Sequence, residues 1–177
     1  MNTKNIIFIG GIHGAGKGTI CREIANELNV TSISASTLLK WEEVSDHPKN
    51  KAVKDISDTQ RRLINGIDYY LEKGNYLIDG HFTLFDSKYN VTEIDSRVFQ
   101  SISPLCMALV SADPIAIAKR LSERDNQKYD VDLLSRMQRT ELKRAQQVSK
   151  ELNIPLFIID NTEFTQFKEY ISTIINK

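Results

Sequence analysis

The stretch Gly11-Ile12-His13-Gly14-Ala15-Gly16-Lys17-Gly18-Thr19 decides how this chain is read. It follows a short β-branched and aromatic run, Ile6 to Ile9, that reads as a buried strand. It precedes a segment with Ile20, Ile24 and Leu28 on one helical face. The order strand, glycine-rich loop, helix satisfies G-x-x-x-x-G-K, with Gly18 where Ser or Thr is usual and Thr19 behind it. Each residue type has a reason. Glycines let the backbone turn tightly and aim its N–H groups at phosphate oxygens. A helix starting near Lys17 adds the positive end of its dipole. Lys17 brings a flexible point charge to the β- and γ-phosphates. His13 reads as a solvated loop residue that shapes the loop. Gly18 removes a hydroxyl that often ligates Mg2+, so the ion is expected to be held mainly through phosphates and water, with Thr19 the nearest hydroxyl.

Outward from this loop, strand and helix patterns alternate. Strands are predicted at Val30 to Ile33, Asn75 to Asp79, Leu105 to Ser111 and Pro155 to Asp160. Helices are predicted at Leu38 to Val44, Asp58 to Glu72, Leu133 to Leu152 and Phe164 to Ile175. A further helix runs from Pro114 to about Glu123, with Asp113 as its N-cap and proline at its first position. Residues 82–104 read as mostly polar, with one short helix from Glu93 to Ile102. Runs such as Ile6 to Ile9 and Leu105 to Val110 lack polar alternation, as parallel strands covered on both faces do. The fold class is therefore α/β: three layers, α/β/α, with a P-loop NTPase's phosphate loop, a five-stranded parallel sheet and helices on both faces.

The chain has 177 residues, with 23 basic and 23 acidic side chains. At roughly 150 residues per domain this is a single domain. Zero net charge leaves no basic excess to coat nucleic acid or an anionic membrane, so neither is expected as a partner. Cys21 and Cys106 cannot make a disulfide framework and read as buried hydrophobes of a reducing compartment. The apolar run near the N-terminus is too short for a signal peptide, which makes the expected location cytoplasmic. No Cys or His quartet implies structural zinc. A GTPase would carry Asn/Thr-Lys-x-Asp after a later strand. Here the fourth strand runs into Ser111-Ala112-Asp113-Pro114 instead.

With those exclusions made, the string GGIHGAGKGT resembles the phosphate loop of adenylate kinases and other nucleoside monophosphate kinases. Ile33-Ser34-Ala35-Ser36-Thr37-Leu38-Leu39-Lys40 falls where that family has I-S-T-G-D-[LM]-[LM]-R. Tyr76-Leu77-Ile78-Asp79-Gly80-His81 falls where it has an apolar strand followed by Asp-Gly, which implies Asp79 beside Mg2+ and its water. The usual Phe-Pro-Arg is replaced by His81-Phe82-Thr83, a departure similar to archaeal-type adenylate kinases and related small AAA-like kinases. Those also carry a stretch like Asp58-Thr59-Gln60-Arg61-Arg62, so Arg61 or Arg62 is expected to stand in for the missing arginine.

Arg120 and Arg124, four apart, share a helix face. They resemble the family's R-x-x-x-R before the lid, where the first arginine stacks on adenine and the second contacts phosphate. Beyond a polar break, Arg136 and Arg139 can point the same way, while Lys143 and Arg144 fit a solvated helix face. The resemblance implies ATP and Mg2+ as cofactors, a small-molecule acceptor bound by residues 34–73, and a lid at 124–135. Catalytic roles fall to Lys17, Asp79, Arg120 and Arg124, and metal contacts to Thr19 and Asp79. Nucleotide contacts fall to Gly11, His13, Gly14, Ala15, Gly16, Lys17, Gly18, Thr19 and Arg120. Acceptor contacts fall to Ser36, Thr37, Lys40, Arg61, Arg62, His81, Arg136 and Arg139. The acceptor so implied is a nucleoside monophosphate, AMP by default. Two alternatives stay open: another small acceptor, or a regulatory module that binds ATP with little transfer.

Overall fold

A computed structural model describes residues 4–40, 45–47, 52–53, 56–86, 90–160 and 164–176. Strand β1 (Lys4–Gly10) leads through the loop into α1 (Lys17–Leu28), then β2 (Thr31–Ser34) and α2 (Ala35–Leu38). Short strands β3 (Ser45–His47) and β4 (Ala52–Val53) precede α3 (Ile56–Tyr70) and β5 (Gly74–Asp79). Next come β6 (Thr83–Asp86), β7 (Val91–Glu93), α4 (Ser96–Ile102) and β8 (Cys106–Val110). The chain closes with α5 (Pro114–Asp125), α6 (Val131–Leu152), β9 (Leu156–Ile159) and α7 (Phe164–Ile175).

The five predicted strands form one sheet in the order β2-β5-β1-β8-β9, with every neighbour parallel. Alternate side chains leave each strand on opposite faces. Ile6 and Phe8 of β1 join Ile78, Met107 and Leu109 on the face covered by α3, α4 and the C-terminal half of α6. Ile7 and Ile9 join Leu77, Cys106 and Ala108 on the face covered by α1, α5 and α7. Both cysteines are buried there and unpaired, and burial pushes each thiol up to about 12.

Local chemistry sets the helix ends. The side chains of Ser34, Asp95, Asp113 and Asp130 each accept a backbone N–H in the first turn of α2, α4, α5 and α6. Asparagines 29, 126 and 153 end α1, α5 and α6 in the left-handed conformation that this side chain tolerates well.

Two features depart from the sequence expectations. A second, four-stranded sheet in the order β3-β4-β6-β7 was not anticipated. Its strands are two to four residues long and carry Thr83, Asp86, Thr92 and Glu93, too short and polar to show a period. Of the helix expected over Leu38 to Val44 the structure describes Leu38 to Lys40 alone: Leu38 ends the single turn Ala35–Leu38, Leu39 and Lys40 turn the chain, and residues 41–44 lie outside the described ones.

Candidate active site

Adjacent parallel strands bring the two halves of the site together. Ile9 pairs with Asp79, and the Gly80 amide donates to the Ile9 carbonyl at 2.9 Å. The loop after β1 and the Asp79-Gly80-His81 turn after β5 therefore open at the same carboxyl edge of the sheet, where ligands bind in open α/β folds.

In the loop, Gly14 and Gly16 have φ of +77° and +110°, values a side chain would strain. Gly16 caps α1 without a side-chain hydrogen bond, which leaves the helix N-terminus to whatever enters the loop. Lys17 is only 8% exposed; its Nζ donates to the carbonyls of Gly11 at 2.7 Å and Ile12 at 3.2 Å. The loop leans on α5, and the Arg120 guanidinium lies close enough that a Cβ on Gly16 would stand 3.8 Å from it. These groups suit a polyphosphate: turned backbone, a helix N-terminus, a buried ammonium and a guanidinium beside the loop. Gly18 faces open space, and Thr19 is exposed, with its hydroxyl accepting from Arg22 at 3.5 Å.

A cavity of about 220 Å³ runs from His13, Lys17 and Asp79 into the space between α2, α3 and β6. Phe8, Leu39, Leu63, Leu84, Ile94 and Val98 form its apolar walls. Ser36, Thr59, Gln60 and His81 bring polar groups into it. The His13 and His81 rings meet edge to face at 4.4 Å between centroids, so His13 belongs to the cavity wall more than to open solvent.

Behind His81 stands a residue that sequence reasoning missed. Glu141 of α6 is fully buried. Its Oε2 accepts from the Phe82 amide at 2.7 Å and the Thr83 hydroxyl at 3.0 Å. Its Oε1 has no hydrogen-bond partner and lies 3.5 Å from His81 Nδ1. Burial raises this carboxyl from 4.5 to about 7, against the opposing pull of the Lys17 charge. The signal was present in the sequence: Glu141 lies at helical spacing from Leu134, Ala145 and Val148, a carboxylate on an otherwise largely apolar face.

The remaining expected residues lie elsewhere. Thr37 is exposed and takes part in the α2 cap through its amide and hydroxyl. Lys40 and Arg62 line a separate open groove beside Tyr69 and Tyr70. Arg61 pairs with Asp58 at 2.5 Å, and Arg62 with the same carboxylate at 3.4 Å. From the Asp58–Arg62 stretch it is Thr59 and Gln60 that reach the cavity. Arg124 makes two 2.7 Å bonds to Asp125, whose other neighbour is the Tyr129 hydroxyl at 2.6 Å; this ties up the short 126–130 connection. Arg136 and Arg139 are exposed on α6 and do not line the cavity. Arg144 is buried, against the expectation of a solvated face. Its Nε and one terminal nitrogen donate to the Ile94 carbonyl at 2.9 and 2.7 Å.

For Mg2+, the described residues contain no cluster of three His, Cys, Asp or Glu side chains. Asp79 at the cavity edge is the carboxylate placed to meet an ion carried in on phosphates, and a water-rich, phosphate-bound Mg2+ fits that single donor. No helix among the described residues is long and apolar enough to cross a membrane.

Among curated proteins, an 86-residue segment is 31% identical to UMP-CMP kinase 2 of Caenorhabditis elegans, covering 43% of this chain and 45% of that protein. A segment of the same length is 34% identical to adenylate kinase isoenzyme 5 of Mus musculus, covering 43% of this chain and 15% of that protein. The matches thus span less than half the length of either relative. Among solved structures, a gluconokinase from Sinorhizobium meliloti 1021 shares the fold at TM-score 0.53 and 14% identity, over 97% of this chain and 91% of that one. An uncharacterized protein from Eubacterium ventriosum aligns at TM-score 0.52 and 18% identity, over 98% and 99% of the two chains. The likeness to the gluconokinase shows that the fold is that of a P-loop kinase. The AAA domain profile matches residues 10–138, most of the length described above, and the chain belongs to that family.

Proposed function

We propose that this protein is an ATP-dependent phosphotransferase acting on a small molecule. The observation that carries the reading is the junction of two differently built spaces at one sheet edge: a phosphate loop with buried Lys17, and a cavity with mainly apolar walls that begins at the same lysine. Loop amides and Lys17 bind the β- and γ-phosphates, and Arg120 lies over the loop on the nucleotide side. Mg2+, when bound, neutralises charge on those phosphates, and Asp79 is the residue to hold its water shell. His13 and His81 close the space between donor and acceptor, which keeps water from the transferring group. Arg124 and the α6 arginines Arg136 and Arg139 are assigned to closure of the lid over that group.

The curated relatives point to a nucleoside monophosphate as acceptor, AMP first. The cavity lining favours a second reading, another small acceptor, because its walls are mainly apolar. A coupled ADP-release assay, run with and without AMP and with Lys17→Ala as blank, tests the proposal. Acceptor-dependent release that the blank lacks supports transfer. Tight ATP binding without turnover on any acceptor points to a regulatory module instead.

A further inference from the structure

We infer that the acceptor is an uncharged alcohol carried on a largely apolar body, and that the cavity selects against a phosphorylated acceptor. The inference rests on the phosphotransferase reading above and names the substrate class of that site. All nine arginines of the chain lie among the described residues, and none lines the cavity. Arg61 and Arg62 are turned to Asp58, and Arg62 also lies 3.5 Å from the Leu39 carbonyl. Arg97 is paired with Asp95, Arg124 with Asp125, and Arg144 with the Ile94 carbonyl. Arg120 lies beside Gly16 of the loop, and its Nε donates to the Ala116 carbonyl at 3.2 Å. Among the described residues, Lys17 is the one lysine or arginine in the lining, and it belongs to the phosphate loop.

Among the described residues, a phosphomonoester deep in this cavity would meet Leu63, Leu84, Ile94 and Val98, with the Asp79 carboxylate at the cavity edge and Lys17 as the one lysine or arginine in reach. Burying a charge without a partner is far costlier than burying a hydroxyl that finds one. A neutral hydroxyl finds partners in Ser36, Thr59, Gln60 and His81, while its apolar body meets the walls. Glu141 acts as a positioning residue: its unpartnered oxygen faces the His81 imidazole from behind and sets the ring at the cavity mouth. In the reaction the acceptor oxygen forms a bond to the γ-phosphorus as the bond from that phosphorus to the bridging oxygen breaks. ADP leaves with the bonding pair, and the hydroxyl proton passes to an oxygen of the transferred group and then to solvent.

The test compares matched pairs on the purified protein with ATP and Mg2+. Adenosine, guanosine, cytidine, uridine and thymidine are each set beside their own 5′-monophosphate, with benzyl alcohol and the pyridinemethanols as further neutral acceptors. ADP release and product mass are read, with Lys17→Ala as blank. The expected result is a neutral acceptor whose kcat/KM exceeds that of every monophosphate by roughly tenfold or more. A monophosphate as the better acceptor overturns the inference. So does ATP binding, seen as a raised Tm that Lys17→Ala lacks, without transfer to any neutral acceptor. Absence of both ATP binding and turnover overturns the phosphotransferase reading itself, a separate and recognisable outcome.

Discussion

Gly66 of α3 and Leu38 of α2 touch backbone to backbone: a Cβ on Gly66 would stand 2.1 Å from the Leu38 carbonyl oxygen. That contact seats the turn carrying Ser36 against the cavity. Gly66→Ala has no flexible side chain to displace and must push α2 away. The expected loss of stability is about 1–3 kcal/mol, read as a lower urea midpoint at unchanged m-value. An unshifted midpoint would show that α2 yields freely.

Lys17→Ala should remove ATP turnover while leaving the fold in place. On the phosphotransferase reading the ammonium serves the phosphates, and the two loop carbonyls it bonds can be satisfied by water once the side chain is gone. ADP release should fall by about a hundredfold or more, with the circular dichroism spectrum retained. Turnover at the parent rate would refute the role of the loop.

Arg144→Met should destabilise strongly without lowering kcat in the surviving folded protein. The substitution strips the buried Ile94 carbonyl of two donors and the Ser96 hydroxyl of a third at 2.8 Å. A cost of about 2–4 kcal/mol is expected, measured by denaturant unfolding. A large drop in kcat at unchanged stability would place Arg144 in the reaction instead.

Glu141 gives stability a pH dependence of known sign. Its carboxyl titrates at about 7 in the fold against 4.5 ordinarily, so between those values the folded protein keeps a proton that the unfolded chain has lost. Its contribution is complete below the unfolded value and disappears as pH rises through the folded one. Glu141→Gln should flatten the decline of unfolding free energy across that window. Identical slopes in the two proteins would contradict the assignment.

Gly18→Ser should fit without strain, since a Cβ there meets nothing within 4 Å. It returns a hydroxyl to the position from which phosphate loops ligate Mg2+. The Mg2+ concentration for half-maximal turnover should fall at unchanged Tm. No change in Mg2+ dependence would mean that this hydroxyl cannot reach the ion.

Four of the five central strands were legible as apolar runs bounded by turn residues and β2 by the β-branched Val30, Thr31 and Ile33, and the loop was legible because its glycines and lysine have fixed spacing. Asp113-Pro114 announced α5 for the same local reason. The small second sheet was not, because pairing such as Thr83 with Glu93 depends on partners rather than on pattern. Arg61 and Arg62 illustrate the limit for the site. Their stretch lies beside the cavity, yet the helical phase turns Thr59 and Gln60 inward and the arginines toward Asp58. Arg144 was misread because charge alone suggested solvent, whereas its turn of α6 packs under Ile94.

The strand register that pairs Ile9 with Asp79 has a consequence for how such a protein can be redesigned. The loop and Asp79 end two neighbouring central strands, while the wall opposite them is supplied by Ala35, Ser36, Leu39, Thr59, Gln60 and Leu63 before β5 and by Leu84, Ile94 and Val98 after it. If the protein is the phosphotransferase proposed above, reactivity and selectivity occupy separable cassettes, and exchanging the two wall segments between relatives is a direct route to new acceptors on an unaltered frame.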